Sequence, residues 1–245
     1  MTENTAFLIG REVEIEGLSF AHQNILQKPH IIVFSGPSGI GKSTLLSHFV
    51  STIRQDATIS VMMPCEKGAR SLAPILAIFE EIISQILLLS PTQIQKWQNI
   101  LKESTSNYAA LLNEYIPNFS NLVKPNKAQE TFLDTLRSSR SLFFLLSELL
   151  KTLSENITLV LALDNIQWGD EQTLLFIRYL IENKRIENNL MLILSIQEPF
   201  PTDTPVVDLI TWLKNETGLT WYTLSPLSVE NIQTLISKLY TIFDF

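Results

Sequence analysis

The sequence lacks the features that are typical of secreted and membrane-embedded proteins, namely several cysteines, a signal peptide and a long uninterrupted apolar segment. Its 245 residues include one cysteine, Cys65, so an internal disulfide is excluded and a reducing compartment is favoured. The most hydrophobic stretch, residues 72–89, is interrupted by Pro74, Glu80 and Glu81, whereas a membrane span needs ~20 predominantly apolar residues. Residues 1–5 lack the charged region that opens a secretory signal. We therefore expect a soluble, cytoplasmic protein without a membrane partner, in which Cys65 is a small buried hydrophobe near the end of a strand.

Positive charge is also scarce. The chain has 18 Lys and Arg residues against 25 Asp and Glu, which gives a net charge of −7, and no basic run is longer than a dipeptide. Surfaces that bind nucleic acids concentrate Lys and Arg against the phosphates. The composition therefore argues against nucleic acid as a partner of this domain, although a small basic patch assembled in three dimensions is left open. Hydrophobic residues make up 45% of the chain, enough to bury a substantial core.

What the chain does contain is a complete phosphate-binding loop. The pattern G-x-x-x-x-G-K-[ST] is matched by Gly36, Pro37, Ser38, Gly39, Ile40, Gly41, Lys42 and Ser43. The apolar run at residues 31–34 predicts a buried strand before the loop. From Thr44 onward, apolar residues at helical spacing predict a helix after it. This strand–loop–helix context predicts a nucleotide ligand held by residues 36–44.

The chemistry of such a loop is specific. Glycines allow its backbone N–H groups to point at phosphate oxygens, and the start of the following helix adds a partial positive charge. Lys42 would reach the β- and γ-phosphates, and the Ser43 hydroxyl would ligate Mg²⁺. ATP is favoured over GTP because the guanine-reading pattern Asn-Lys-x-Asp is absent. Residues 126–129, Asn-Lys-Ala-Gln, match its first two positions but have glutamine in place of the final aspartate.

Apolar strands alternate with helices along the rest of the chain. Strands are predicted near residues 30–35, 58–63, 157–163, 190–196 and 221–224, and the main helices at 11–27, 42–54, 71–89, 129–153, 171–184 and 228–240. This order indicates an α/β P-loop NTPase fold, with three αβα layers around a central parallel sheet. Residues 64–156 would form a mostly helical insertion between the second and third strands, packed on the core.

The third predicted strand ends in an acid. Residues 159–163 are all apolar and are followed by Asp164. Beside a phosphate loop, an acid at a strand end holds Mg²⁺, usually through water. A turn-forming aspartate is the alternative. The phosphate loop favours Asp164 as a metal-side acid, with Asp170 as the cap of the next helix.

Residues 164–170, with the sequence Asp-Asn-Ile-Gln-Trp-Gly-Asp, resemble the "LDDLQWAD" segment of STAND-type AAA-like ATPases. These signal-transduction NTPases occur in bacterial transcription regulators and in multidomain signalling kinases. Residues 7–15 are similar to their N-terminal "hGRExEh" box, residues 107–123 to part of the insertion of kinase-associated members, and residues 224–228 to the turn where their helical lid begins. The resemblance runs from about residue 7 to residue 240.

The resemblance implies further roles. It places Ile9 and Arg11 against the adenine of bound ATP or ADP, although Arg11 could also be a solvated residue at a helix start. It divides the chain into a nucleotide-binding core, residues 1–225, and the first helix of a truncated lid, residues 226–245. Family members continue through further helices and a winged-helix domain. The chain would then be a piece of a larger multidomain protein or a short stand-alone member, whose partner is another protein or the rest of the larger chain.

Two departures from the family bear on catalysis. An acid commonly follows the Mg²⁺ aspartate in the family, but Asn165 occupies that place. The next strand commonly ends in an arginine facing the γ-phosphate, but Gln197 stands there. With Lys42 and Asp164, these residues make up the predicted catalytic positions, and we expect hydrolysis to be weak or absent. The missing arginine could be replaced by Arg178, by Arg185 or by an arginine of a neighbouring subunit, and the missing acid by Glu171 acting through a repositioned water.

Four functions are compatible with these patterns. The favoured one is a nucleotide-gated signalling or regulatory module. The alternative is an active ATPase that oligomerises and remodels a partner. A small-molecule kinase would need a cluster of acids and arginines for the acceptor, which the sequence does not suggest, and remodelling of nucleic acid is disfavoured by the charge.

Overall fold

The computed structural model describes residues 8–53, 58–124, 138–200 and 204–243, with side chains as far as residue 238. Within these segments five strands form one sheet: β1 His30–Gly36, β2 Thr58–Pro64, β3 Thr158–Asp164, β4 Leu190–Gln197 and β5 Thr220–Thr223. Their order is β2-β3-β4-β1-β5, and every pairing is parallel. The predicted α/β fold class is confirmed.

Helices cover both faces of this sheet. They are α1 Glu12–Gln23, α2 Lys42–Thr52, α3 Ala73–Leu87, α4 Pro91–Thr105, α5 Ala109–Tyr115, α6 Ser139–Ser154, α7 Glu171–Glu182, α8 Val206–Asn215 and α9 Val229–Phe243, with a 3₁₀ turn at Pro117–Asn121. None of the helices in the described segments is both long and apolar enough to cross a bilayer.

The central strands are apolar on both faces, so they can be buried between two helical layers. On β3, Leu159, Leu161 and Leu163 join one core cluster with α3, α6, α7 and α8. The alternate residues Val160 and Ala162 join a second cluster with α1 and α2. This two-residue alternation follows from the strand geometry and accounts for the three layers.

The described residues between β2 and β3 are mainly helical, as predicted for the insertion. Helix α3 buries Ile82, Ile83 and Ile86 in the same cluster as β3 and β4. The Glu80 carboxylate of α3 accepts a hydrogen bond from the backbone N–H of Asn118, at 3.2 Å from each oxygen. The insertion therefore shares the hydrophobic core of the sheet and cannot act as a loose linker.

Some predicted boundaries were wrong. Helix α1 ends at Gln23 and is followed by turns at residues 24–27, in which Gln27 N donates to Asn24 O at 3.0 Å, before Pro29. Helix α8 was missed, since the prolines before it obscured its apolar spacing, in which Val206, Leu209, Ile210 and Leu213 are buried. Helix α6 is described from Ser139, and its predicted start at residues 129–137 lies outside the described residues. Residue 54, the predicted end of the helix after the phosphate loop, and residues 126–129, compared above with the guanine-reading pattern, also lie outside them.

The packing of α3 generates a stability prediction. Replacing Ile82, which is fully buried, with alanine should lower the free energy of unfolding by about 2–5 kcal/mol, through lost burial and the remaining cavity. Chemical denaturation followed by far-UV circular dichroism would measure this loss. Leu88→Ala is the matched control: its side chain is 85% exposed, so its effect should stay within about 0.5 kcal/mol. Equal effects of the two changes would contradict this packing.

Cys65 follows β2 and is buried, as the sequence predicted. Burial, together with the nearby Asp170 and Asp164 carboxylates, raises the pKa of its thiol to about 12. Because the thiolate is the reactive form, alkylation of native protein at pH 8 should be on the order of a thousandfold slower than that of a free thiol, and unfolding should restore the normal rate. Mass spectrometry of iodoacetamide-treated protein would measure both rates. Rapid labelling of the native chain would contradict the burial.

Candidate functional site: a phosphate-binding cleft

The loop between β1 and α2 adopts a conformation that depends on glycine. Gly39 and Gly41 have φ angles of +76° and +100°, in the left-handed region where a Cβ is strained. Gly36 is needed for a different reason, since a Cβ there would lie 2.9 Å from the backbone oxygen of Leu224. The loop can therefore curl tightly and pack against the end of β5.

This loop forms one wall of a cleft of about 340 Å³. The residues that line the cleft are Ser38, Gly39, Gly41, Lys42, Ser43, Thr44, Asn165, Trp168 and Gln197. Helix α2 starts here with Gly41 as its N-cap and no side chain capping its first turn. Its first N–H groups and its partial positive charge therefore favour an anion at this position.

Lys42 is held in place by the loop itself. Its Nζ donates to the backbone oxygens of Gly36 and Pro37, at 2.8 Å each. Only 5% of the residue is exposed. Burial lowers the pKa of Lys42, and the Asp164 and Glu198 carboxylates partly oppose that effect. The ammonium thus lies beside the backbone of the loop, and none of the described carboxylates forms a direct ion pair with it.

Asp164 is buried at the carboxyl end of β3, with 4% of the residue exposed. Its Oδ1 accepts a hydrogen bond from the Ser195 hydroxyl on β4, and its Oδ2 accepts one from Asn165 Nδ2 at 3.2 Å. The Ser195 oxygen also accepts from the backbone N–H of Asn165, at 3.0 Å. The carboxylate is therefore oriented by donors from two neighbouring strand ends. Ser195 was not predicted as a site residue.

Gln167 is hydrogen-bonded to both Asn165 and Gln197. Its Nε2 donates to Asn165 Oδ1 at 3.2 Å, and its Oε1 accepts from the backbone N–H of Gln197 at 3.0 Å. Only 4% of Gln167 is exposed. Gln167 was not predicted as a site residue. The sequence feature that could have indicated it is its position in the Asp-Asn-Ile-Gln-Trp-Gly-Asp segment, three residues after Asp164. Asn165 and Gln197 are thereby held together beside the phosphate loop.

Arg11 and Ile9 do not line this cleft. Arg11 is only 5% exposed, so it is not a solvated residue. Its Nη2 donates to the backbone oxygens of Ile40 and Ser225, at 2.9 Å each. Ile9 lies in the turn just before α1. In this structure Arg11 contacts the loop backbone from outside the cleft.

The remaining predicted residues divide between the cleft and the scaffold. Trp168 lines the cleft, and Lys67 Nζ lies 5.6 Å from the centre of its ring. Asp170 caps α7 as predicted, accepting from the Thr173 N–H at 3.1 Å. Arg178 and Arg185 are paired instead with Glu182 and Glu148, at 3.6 and 2.6 Å, so neither contributes a charge to the cleft.

The donor set fits Mg²⁺, which takes oxygen ligands from one or two protein groups and completes its shell with water and substrate phosphates. Ser43 offers a hydroxyl, and each oxygen of Asp164 keeps a lone pair beyond the hydrogen bond it accepts. In the described part of the chain, no group of three or more His, Cys, Asp or Glu side chains could hold a metal on its own. A magnesium ion here would therefore depend on the phosphates of a nucleotide.

Several solved structures are similar to this chain at low sequence identity. A DNA replication initiation factor matches 99% of this chain at 14% identity (TM-score 0.49), and AMPPCP-bound DnaA from Aquifex aeolicus matches 98% at 14% (TM-score 0.46). The Aeropyrum pernix ORC1 protein in complex with DNA matches 96% at 12% (TM-score 0.50). The chain spans about half the length of these proteins, 54%, 54% and 50% respectively. No curated protein sequence matches it.

One of these structures corrects the exclusion of nucleic acid as a partner. The Aeropyrum pernix ORC1 protein, which has the same fold, is bound to DNA. The sequence argument was wrong because the net charge of a chain does not describe a local surface. Phosphates can also be contacted by backbone N–H groups and helix starts, which leave no trace in the charge count.

The family assignment comes from the sequence. The profile of the AAA ATPase domain matches residues 8–193, which include the phosphate loop, the insertion and the first four strands of the sheet apart from the end of β4. The match covers more than half of the chain and agrees with the parallel sheet and the cleft described above. This chain therefore belongs to the AAA ATPase domain family of nucleotide-binding P-loop NTPases.

Proposed function

We propose that this domain binds ATP with Mg²⁺ and acts as a nucleotide-gated regulatory module in signalling, with weak or absent hydrolysis. The proposal places it in the STAND-type subgroup that its sequence resembles. The observation that carries it is the pair of neutral amides, Asn165 and Gln197, on the wall of the phosphate cleft. A cleft of this kind can hold a triphosphate without supplying strong catalytic groups.

Asn165 is poorly suited to activate water. Its carboxamide is neutral and cannot accept a proton at neutral pH. Its Oδ1 already accepts from Gln167 and its Nδ2 already donates to Asp164, so its orientation is fixed. General-base assistance is worth ~10²–10⁴ in rate, and this chain would lose that factor.

Gln197 supports the same conclusion from the other side of the cleft. A cationic donor facing the γ-phosphate can contribute ~10³–10⁵ to phosphoryl transfer, whereas a glutamine offers only a neutral amide. Arg178 and Arg185 are engaged elsewhere, the first over the Trp212 ring and the second over Phe144. Among the described residues that line the cleft, the cationic side chain is that of Lys42, which would serve binding.

When bound, Mg²⁺ would neutralise phosphate charge, held by Ser43 and, through water, by Asp164. The phosphates themselves would be bound by groups of the protein. The N–H groups of residues 39–44 would bind phosphate oxygens, and the Lys42 ammonium would leave the Gly36 and Pro37 oxygens for the β- and γ-phosphates. Binding would thereby change the hydrogen bonding of the loop, which is the physical basis of the proposed gating.

Lys42 provides a test of binding. Isothermal titration of the chain with ATP and Mg²⁺ should give measurable heat, and Lys42→Ala should weaken ATP binding by about 10- to 100-fold, because a charged hydrogen-bond donor is lost. Lys96→Ala, which removes a lysine far from this cleft along the chain, is the matched control and should bind as the wild type does. If the folded wild-type chain gives no heat with any adenine or guanine nucleotide, the proposal fails.

Asn165 provides a test of catalysis. Asn165→Asp should raise the rate of ATP hydrolysis by about 10²-fold, because a carboxylate can accept the proton of the attacking water. Release of radiolabelled phosphate in single-turnover reactions would measure the rate, with Lys42→Ala as the blank. Rapid wild-type turnover that Lys42→Ala removes, accompanied by ATP-dependent oligomers in light scattering, would instead establish the active, remodelling ATPase.

A further inference from the structure

We propose that Arg11 is a positioning residue for the phosphate loop. Its guanidinium fixes the peptide between Ile40 and Gly41, so that the Gly41 N–H points at a phosphate oxygen, and it ties that peptide to the C-terminal segment at Ser225. The inference rests on the proposed nucleotide binding and adds a structural route from the phosphates to residues 225–238.

Both hydrogen bonds come from one nitrogen of the buried residue Arg11. Arg11 Nη2 carries two hydrogens and lies 2.9 Å from Ile40 O and 2.9 Å from Ser225 O. Nη1 lies 3.5 Å from Glu14 Oε1, which supplies the nearby negative charge. Because charge-assisted hydrogen bonds are short and directional, this guanidinium fixes both carbonyl groups relative to α1.

Fixing the Ile40 oxygen also fixes the next N–H. In a trans peptide the C=O and N–H groups point in opposite directions, and the one cis bond in the described residues is Glu198–Pro199. Gly41 lines the cleft, and no protein acceptor in the described residues takes its N–H. With the Ile40 oxygen held outside by Arg11, the Gly41 N–H is aimed at the cleft.

The hydrogen bond from Arg11 to Ile40 O matters because the peptide between Ile40 and Gly41 could otherwise rotate easily. Gly39 and Gly41 both adopt left-handed φ angles, and glycine populates the alternative backbone regions at little cost. A rotated peptide would present the Ile40 oxygen, instead of an N–H group, to the phosphates. Arg11 removes that alternative before a ligand arrives, which preserves affinity by reducing the ordering cost of binding.

The same region holds the C-terminal segment against the N-terminal turn. Leu224 N donates to Ser35 O at 2.8 Å, which brings Ser225 to the loop. A Cβ on Gly10 would lie 2.2 Å from Asn231 Nδ2 and 3.0 Å from Leu227 Cδ2, so α9 approaches the residue just before Arg11 very closely. A change in the loop can therefore reach Ser225, just before α9, through the Arg11 side chain.

The test compares ligands with and without a base. Affinities for ATP and for inorganic pyrophosphate would be measured by calorimetry for the wild type, Arg11→Met, Arg11→Lys and the control Arg178→Met. Arg11→Met should weaken both ligands by about tenfold, since a charge-assisted hydrogen bond to the loop is lost. Arg11→Lys, which keeps the charge without the planar fork, should restore part of both affinities, and Arg178→Met should match the wild type.

Hydrogen exchange would test the route to the C-terminal segment. Pyrophosphate should slow exchange in residues 225–238 of the wild type and should leave those residues of Arg11→Met unchanged. If circular dichroism shows that Arg11→Met does not fold, Arg11→Lys carries the comparison, with an expected loss of about threefold for both ligands.

The outcomes separate this inference from the proposed function. A wild type that binds no nucleotide overturns the proposed function. The inference alone is overturned if Arg11→Met binds both ligands as the wild type does, or if it loses affinity for ATP and keeps full affinity for pyrophosphate, since Arg11 would then recognise the base. It is also overturned if the wild type binds ATP but not pyrophosphate, or if exchange in residues 225–238 does not respond.

Discussion

The parallel pairing of β4 between β3 and β1 is the constraint on which the site depends. Its register places Gly36, where the phosphate loop begins, opposite Gln197, and Leu163 opposite Leu194. The loop, the acid after Leu163 and the amide at the end of β4 must therefore meet at one edge of the sheet. That edge is where parallel α/β proteins bind their ligands, and the two apolar clusters hold the register in place.

Several polar side chains at this edge are hydrogen-bonded to one another or to the loop backbone. Lys42 donates to two loop carbonyls, and a chain of hydrogen bonds runs from Ser195 through Asp164, Asn165 and Gln167 to the backbone of Gln197. Buried charges need such partners, because an unpaired one would be strongly destabilising. A nucleotide would have to replace some of these bonds, so binding and rearrangement of the loop would be linked.

Local patterns predicted most of the fold and the main components of the site. The positions of all five strands followed from apolar runs, and the phosphate loop from its glycines and lysine. The prediction failed where distant contacts decide the structure. Helix α8 was missed because several prolines precede it. The place of Gln167 in the segment 164–170 does not by itself specify its hydrogen bonds to Asn165 and Gln197. A net charge of −7 could not exclude nucleic acid, because charge acts through local surfaces.

The sequence by itself determined that this chain carries a phosphate loop after a buried strand, and that the neutral amides Asn165 and Gln197 lie at the ends of two later strands. These are properties of residue type and short spacing. The tertiary structure alone decided what Arg11 contacts, because its partner Ser225 lies 214 residues further along the chain. No short-range pattern specifies a contact of that kind; it exists because the folded sheet brings Arg11 and Ser225 to the same loop.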